Sequence, residues 1–395
     1  MMPGVAVRTR LSRLRRSVGP LLLLTGGLTV ALAMLEVFLR VVNPFGERIR
    51  GDQIVLPANV RRTIHNTNFP RVDKEIVVTT NSLGFRGPEP PPDFASALTI
   101  LAVGGSTTES LYISDGKTWP DRVGQDLSAS FSGLWVGNAG LDGHSTFGHE
   151  RLLEQRIARL RPKVLLFLVG INDVGRDDLK AVDAALLAGG SGFWGTAVRW
   201  GAEHSAVVST ALNLMRYREA RRMNRVHKSL EVRWARVLTP DRDRSRALVA
   251  LHREKYVPAY ASRVHALVQR SRALGMDPVL ITQPALYGNV VDPGTKVFLG
   301  TLEVDAEQRL HGGLAWNLLE LYNDVLREEG RTAGVLVIDL AAELPKDSRL
   351  FYDFVHFNND GSAAVAKIVA ARLCPYLAAR YPAHVAAECP ATITP

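Results

Sequence analysis

Cysteine is almost absent from this 395-residue chain: only Cys374 and Cys389 occur, both near the C-terminus. Two thiols fall short of the ligand set of a zinc site, so no metal is expected there. In an oxidising compartment the pair closes a short loop, and a Cys374–Cys389 disulfide is the expectation. Charge is missing from Val18 to Leu35, and internal repeats and low-complexity tracts are missing throughout.

What is present is apolar and basic. With 46% hydrophobic and 22% charged residues the chain buries a large core, which excludes a disordered protein. The net charge of +9 raises nucleic acid as a partner. Part of that excess, however, is Arg8, Arg10, Arg13, Arg15 and Arg16, which directly precede the uncharged run, and nucleic acid is set aside. The run continues through Glu36 to Val42, long enough to cross a bilayer as a helix, and the arginines before it keep the N-terminus in the cytoplasm. Glu36 falls near the outer end, with Arg40 one helical turn on. Ala31-Leu32-Ala33 has the form of a signal-peptidase site, so secretion after cleavage is the alternative to a single-pass anchor. The expected organisation is a basic segment 1–17, an anchor 18–42, an extended connector 43–97 with short strands, a catalytic domain 98–380 and a tail 381–395.

Leu98 to Val103 is apolar and β-prone apart from Thr99, as a strand buried on both faces of a parallel sheet must be. Gly104 and Gly105 let the backbone turn at its carboxyl end and present Ser106 where open α/β sheets place their ligands. Leu134–Gly140, Lys163–Gly170, Pro278–Pro284 and Val335–Asp339 read as four further strands. Helical stretches alternate with them, which predicts an α/β fold on a parallel five-stranded sheet. A mostly helical insertion is expected over 176–274, and its stretch from Arg216 to Arg246, with eleven Lys or Arg against four acids, reads as a basic amphipathic helix. A second insertion, Tyr287 to Gly312, borders the site.

A serine hydroxyl is a weak nucleophile and requires a base, an orienting carboxylate and an oxyanion hole. His356 supplies the base and Asp353 the carboxylate, in a loop before the helical stretch Ser362–Leu377, for which Asp360 or Ser362 is the expected cap. The backbone N–H groups of Ser106 and Gly140 and the side-chain amide of Asn172 are the oxyanion donors. All three lie at carboxyl ends of strands, which a parallel sheet gathers on one edge. These blocks, Ser106, Gly140, Asn172 in Gly170-Ile171-Asn172-Asp173, and Asp353-x-x-His356, resemble the SGNH or GDSL-like hydrolase family from Leu98 to Leu373. The resemblance implies a flavodoxin-like three-layer α/β/α fold and hydrolysis of carboxylic esters without a metal or organic cofactor. The family's usual Gly-Asp-Ser is Gly104-Gly105-Ser106 here. The Gly-x-Ser-x-Gly elbow of α/β-hydrolases is broken at Thr108.

Other chemistry-bearing residues fit the site less well. His144 and His149 follow the second strand as loop histidines, Asp173 satisfies backbone donors at a strand end, and Glu109 with Asp142 forms a carboxylate pair without glycosidase spacing. The expected function is a membrane-anchored, extracytoplasmic serine esterase that forms an acyl-enzyme from an O-acylated glycan, a lipid or a small ester. An O-acyltransferase uses the same triad with a sugar hydroxyl as acceptor, and a silent envelope-binding protein would keep the scaffold alone.

Overall fold

The computed structural model describes residues 5–42, 49–50, 53–176, 193–222, 229–306 and 308–390. The start of the expected connector (43–48), parts of the insertion (177–192 and 223–228) and the last five residues lie outside them. In chain order the main elements are α1 (Val5–Val42), β1 (Leu98–Gly104), α2 (Ser106–Glu109), α3 (Trp119–Leu127), β2 (Leu134–Asn138), α4 (Thr146–Leu152), β3 (Val164–Leu168), α5 (Phe193–His204), α6 (Ala206–Arg222), α7 (Arg242–Leu251), α8 (Val257–Ala273), β4 (Asp277–Ile281), α9 (Gly312–Ala333), β5 (Val337–Ile338) and α10 (Asn359–Arg380). They fall into two compact units, Met1–Val55 with Gly189–Met223, and Leu56–Ala188 with Asn224–Pro395.

In the first unit, α1 carries an apolar stretch, Leu22–Val41, with a mean hydropathy of 2.1, and its side chains are largely exposed. Glu36 and Arg40 of this helix hold the corner between α5 and α6. The Glu36 carboxylate accepts from the backbone N–H of Ala206 (2.7 Å) and Val207 (3.0 Å) and from Ser205 Oγ (2.8 Å). Arg40 Nε donates to Glu36 at 2.6 Å, and its guanidinium also donates to the His204 carbonyl. An anion thus meets the N-terminus of α6 and a cation the C-terminus of α5, as the two helix dipoles prefer.

The second unit is built on the five strands expected from the sequence. They are all parallel, in the order β5-β4-β3-β1-β2. Leu98, Ile100 and Ala102 of β1 join Leu166, Trp119, Val123 and Val365 in one apolar cluster beneath α3 and α10. Leu101 and Val103 are equally buried, and α8 packs with α4 and α9. Helices therefore form layers on both faces of the sheet, and each large side chain sealed between layers contributes about 1.5–3 kcal/mol. β5 is shorter than the Val335–Asp339 expected.

Several boundaries differ from the sequence reading. From Leu56 onward the expected connector belongs to the sheet-bearing unit, where Arg61–His65 pairs antiparallel with Glu75–Thr79. The expected insertion ends too late, because α8 is a layer helix packed on β4. The basic stretch 216–246 is not one helix: Val232–Trp234 is a single 3-10 turn, Val237 bridges to Leu302, and a new helix begins at Arg242. Asn358, not Asp360 or Ser362, caps α10, since its Oδ1 accepts from the N–H of Asp360 and Gly361, each at 3.0 Å.

The tail is tied to this unit. Val385 bridges to Phe131, and Cys389 is disulfide-bonded to Cys374 of α10, with Cα atoms 5.8 Å apart. For a 15-residue loop the chain-entropy model gives about 3 kcal/mol. Cys389→Ser is expected to lower the unfolding free energy by about that amount. An unchanged urea midpoint in the variant would contradict a stabilising role for the crosslink.

Candidate active site

Ser106 stands at the first position of α2, immediately beyond the carboxyl end of β1. The turn that presents it depends on close backbone approach. A Cβ on Gly104 would lie 2.6 Å from the Leu168 carbonyl oxygen, and one on Gly105 would lie 2.4 Å from Asn172 Nδ2. The Asn172 amide is thus packed against the residue preceding Ser106, where an aspartate side chain would displace it.

The far end of α2 is clamped by a residue the sequence reading assigned no role. Arg86 is buried, and its guanidinium donates to the carbonyls of Glu109 (2.8 Å), Ser110 (2.7 Å) and Ile113 (2.8 Å) and to Asp115 Oδ1 (2.8 Å). Ser110 adopts the left-handed conformation (φ 54°) that closes this helix. Arg86 sits in Asn81-Ser82-Leu83-Gly84-Phe85-Arg86-Gly87, a stretch with turn chemistry but no catalytic signature.

Asp353 and His356 approach from the loop before α10. The Asp353 Oδ1 atom accepts the backbone N–H of Val355 (2.8 Å) and His356 (2.7 Å), which curls the loop so that Oδ2 meets His356 Nδ1 at 2.7 Å. His356 Nε2 lies 2.7 Å from Ser106 Oγ. Burial pushes the Asp353 carboxyl up, but the adjoining His356 and the N–H donors outweigh it, so the group lies below its ordinary value and is ionised. An ionised carboxylate only accepts hydrogen bonds, so Nδ1 carries the proton and Nε2 turns its lone pair to the serine hydroxyl.

The His356 ring is also held by stacking. Tyr352 lies parallel to it (6° between planes, centroids 5.5 Å apart), and Tyr352 packs on Phe69 at 4.7 Å. Phe69 in turn contacts Tyr112 at 4.6 Å. Phe69 lies between the strands Arg61–His65 and Glu75–Thr79, so the expected connector supplies part of the wall behind the imidazole.

The three expected oxyanion donors differ in their surroundings. The Ser106 N–H has no acceptor among the described residues. Asn172 Nδ2 donates to the His144 carbonyl at 3.0 Å and retains a second hydrogen. The Gly140 N–H, by contrast, donates to Asn138 Oδ1 at 2.9 Å, and its Cα packs against the backbone of α2, where a Cβ would be 2.2 Å from the Glu109 nitrogen. Gly140 is therefore committed to packing and is not a free donor. Three residues on, Gly143 has a positive φ of 76°, open space where a side chain would be, and no acceptor for its N–H among the described residues. It directly precedes His144, whose carbonyl receives the Asn172 amide.

Asp173 is buried and accepts the N–H of Thr146 (3.1 Å) and a guanidinium hydrogen of Arg263 (3.3 Å), so it ties the start of α4 to the Asn172 turn. Glu109 Oε2 accepts the N–H of Asp142 at 2.6 Å, a loop-holding contact. His144 and His149 are buried.

The model of the GDSL-like Lipase/Acylhydrolase family matches residues 102–364. The chain belongs to that family. It is accordingly a hydrolase of carboxylic esters, and the parallel sheet described above is that family's α/β fold. Among solved structures it is similar to the acetylxylan esterase Axe2 from Geobacillus stearothermophilus (15% identity over 69% of this chain and 93% of that one, TM-score 0.39). It is also similar to the α/β hydrolase LAE5 from the Lake Arreo metagenome (17% identity, 70% and 96%, TM-score 0.39). A third is the lipase/acylhydrolase from Enterococcus faecalis (15% identity, 71% and 96%, TM-score 0.38). No curated protein sequence matches the chain.

Because its folded-state pKa lies below the unfolded one, Asp353 contributes stability above the ordinary carboxylate pKa of about 3.9, which is lost as pH falls through the depressed value. Wild-type protein is expected to be more stable than Asp353→Asn at pH 7, the gap closing as the pH is lowered past that range. Urea midpoints measured across pH decide this, and a gap constant with pH would sink it.

Proposed function

We propose that Ser106, His356 and Asp353 of this ester hydrolase act as nucleophile, general base and orienting carboxylate. The observation that carries this is the continuous Ser106–His356–Asp353 hydrogen-bond chain, 2.7 Å at both links. Ser106 Oγ attacks the ester carbonyl carbon while His356 Nε2 removes its proton, and the carbonyl π pair moves to the oxygen. That oxyanion is received by the N–H of Ser106, the amide of Asn172 and the N–H of Gly143, the glycine of the loop whose donor is uncommitted. Collapse expels the alkoxide, which takes the proton from His356 and leaves an acyl-serine. Water, deprotonated by His356, then attacks the acyl carbon and releases the carboxylic acid and free Ser106.

Reaction with a fluorophosphonate probe and turnover of an aryl acetate are the direct tests. Ser106→Ala is expected to abolish labelling, and both Ser106→Ala and His356→Ala to lower kcat by about 10⁴-fold or more with the fold intact. Labelling that persists in Ser106→Ala would place the nucleophile elsewhere.

We further propose that α1 remains as a single-pass anchor with the catalytic unit outside the cytoplasm, where O-acylated envelope glycans or lipids are the accessible substrates. The arginines before Leu22 and the length of the apolar stretch support the orientation. The Glu36 and Arg40 contacts support retention, because they make the outer end of α1 part of a folded unit instead of a disposable leader. Exposed Trp200, Leu214 and Met215 on α5 and α6 extend the apolar surface of that unit beside the anchor. Full-length protein is expected to stay in the membrane pellet after alkaline carbonate washing and to be digested by protease added from outside. A soluble product with its N-terminus near Met34 would show cleavage.

A further inference from the structure

An open cavity of about 690 Å³ lies between α7 and the beginning of α9, a size within the range of small-ligand sites. One wall carries Arg242 and Arg246, one turn apart on α7, and Arg253 just beyond its end. The facing wall carries Asn289, His311 and Asn317. Glu254 is the acid in the lining, and Arg246 contacts Asp243 at 3.1 Å. Arg242 and Arg253 have no ion-pair or hydrogen-bond partner among the described residues. His311 Nδ1 lies 2.8 Å from the Gly300 carbonyl and 3.3 Å from the Leu314 N–H, which holds the imidazole at the start of α9. The floor is apolar, formed by Val249 and Leu314.

That floor is part of a larger apolar cluster. Val249 and Leu314 belong to an apolar cluster that also takes in Ile171, Val174, Phe354 and Val355, the residues flanking Asn172 and preceding His356. Guanidinium groups recognise carboxylates or phosphates, amides recognise hydroxyls, and an apolar floor accepts the C–H face of a pyranose ring. We propose that this groove binds the anionic residues of an acidic glycan, so that the O-acyl group removed at Ser106 is one carried by a negatively charged polysaccharide. The inference rests on the esterase reading of Ser106 for its catalytic part and on the groove alone for its binding part.

Binding is measured first, by calorimetry of full-length Ser106→Ala protein in detergent with oligogalacturonate, with a hexose phosphate and with neutral xylo-oligosaccharide. Tenfold or tighter binding of an anionic ligand over the neutral one, weakening with salt, supports the groove, and the stronger of the two anions identifies carboxylate or phosphate as its target. Equal affinity for charged and neutral sugars overturns it. The ratio of kcat/KM for O-acetylated oligogalacturonate over acetylated xylo-oligosaccharide is then compared between wild type and the triple variant Arg242→Gln, Arg246→Gln, Arg253→Gln. A loss of tenfold or more, arising in KM and restored by the corresponding Arg→Lys triple, is the expected result for a carboxylate target, and an unchanged ratio counts against the groove. If no ester is turned over by wild type while the calorimetric preference holds, it is the reading of Ser106 that fails and not the groove.

Discussion

Among the described residues the Asp353 carboxylate has three hydrogen-bond partners: two peptide N–H groups of its own loop and one imidazole nitrogen. That restriction sets everything downstream. With the carboxylate fixed by the backbone, the imidazole has one tautomer and one orientation, and the lone pair it presents meets Ser106. The serine is fixed just as firmly from the other side, by glycines that press the β1 turn against Leu168 and Asn172 and by Arg86, which gathers the carbonyls at the end of α2. Two chain segments 250 residues apart are thereby held to hydrogen-bond distance.

Much of this was legible in the sequence because it is written in local patterns. The five strands are continuous apolar runs, as strands covered on both faces must be, and Ser106, Asn172 and the Asp353–His356 pair lie at strand ends or in one short loop. Which glycine of this loop keeps an uncommitted N–H was not legible. Gly140 and Gly143 share one loop, and what separates them is that the Asn138 side chain takes the first N–H, a competition that spacing does not reveal. Asn358 was passed over in favour of Asp360 and Ser362, capping residues that follow it within a single turn.

The parts that escaped prediction are contacts at a distance. Arg86 bonds to carbonyls 23 to 27 residues on, and Phe69 packs on Tyr352 from the opposite end of the domain. Neither residue type at such a place carries a signal of its own: a lone arginine reads as surface, and a lone phenylalanine as core. The basic segment after Arg216 misled in the other direction. Composition suggested one amphipathic helix, whereas the β-bridge at Val237 and Pro240 just before the next helix divide it, and only its last arginines lie on a helix that faces a cavity.

The Glu36 contact has a consequence for biogenesis. Its partner Ser205 lies 169 residues further along the chain, so in an N-to-C synthesis α1 is complete long before α6 exists. Through that interval the carboxylate's one ready-made counterion is Arg40, a helical turn away. The i,i+4 pair thus gives the acidic residue a partner at the edge of the apolar stretch from the start, and the α5–α6 corner adds tertiary contacts to it once it is made. On an N-to-C synthesis these contacts of α1 are therefore completed in sequence, the local one first and the tertiary ones last.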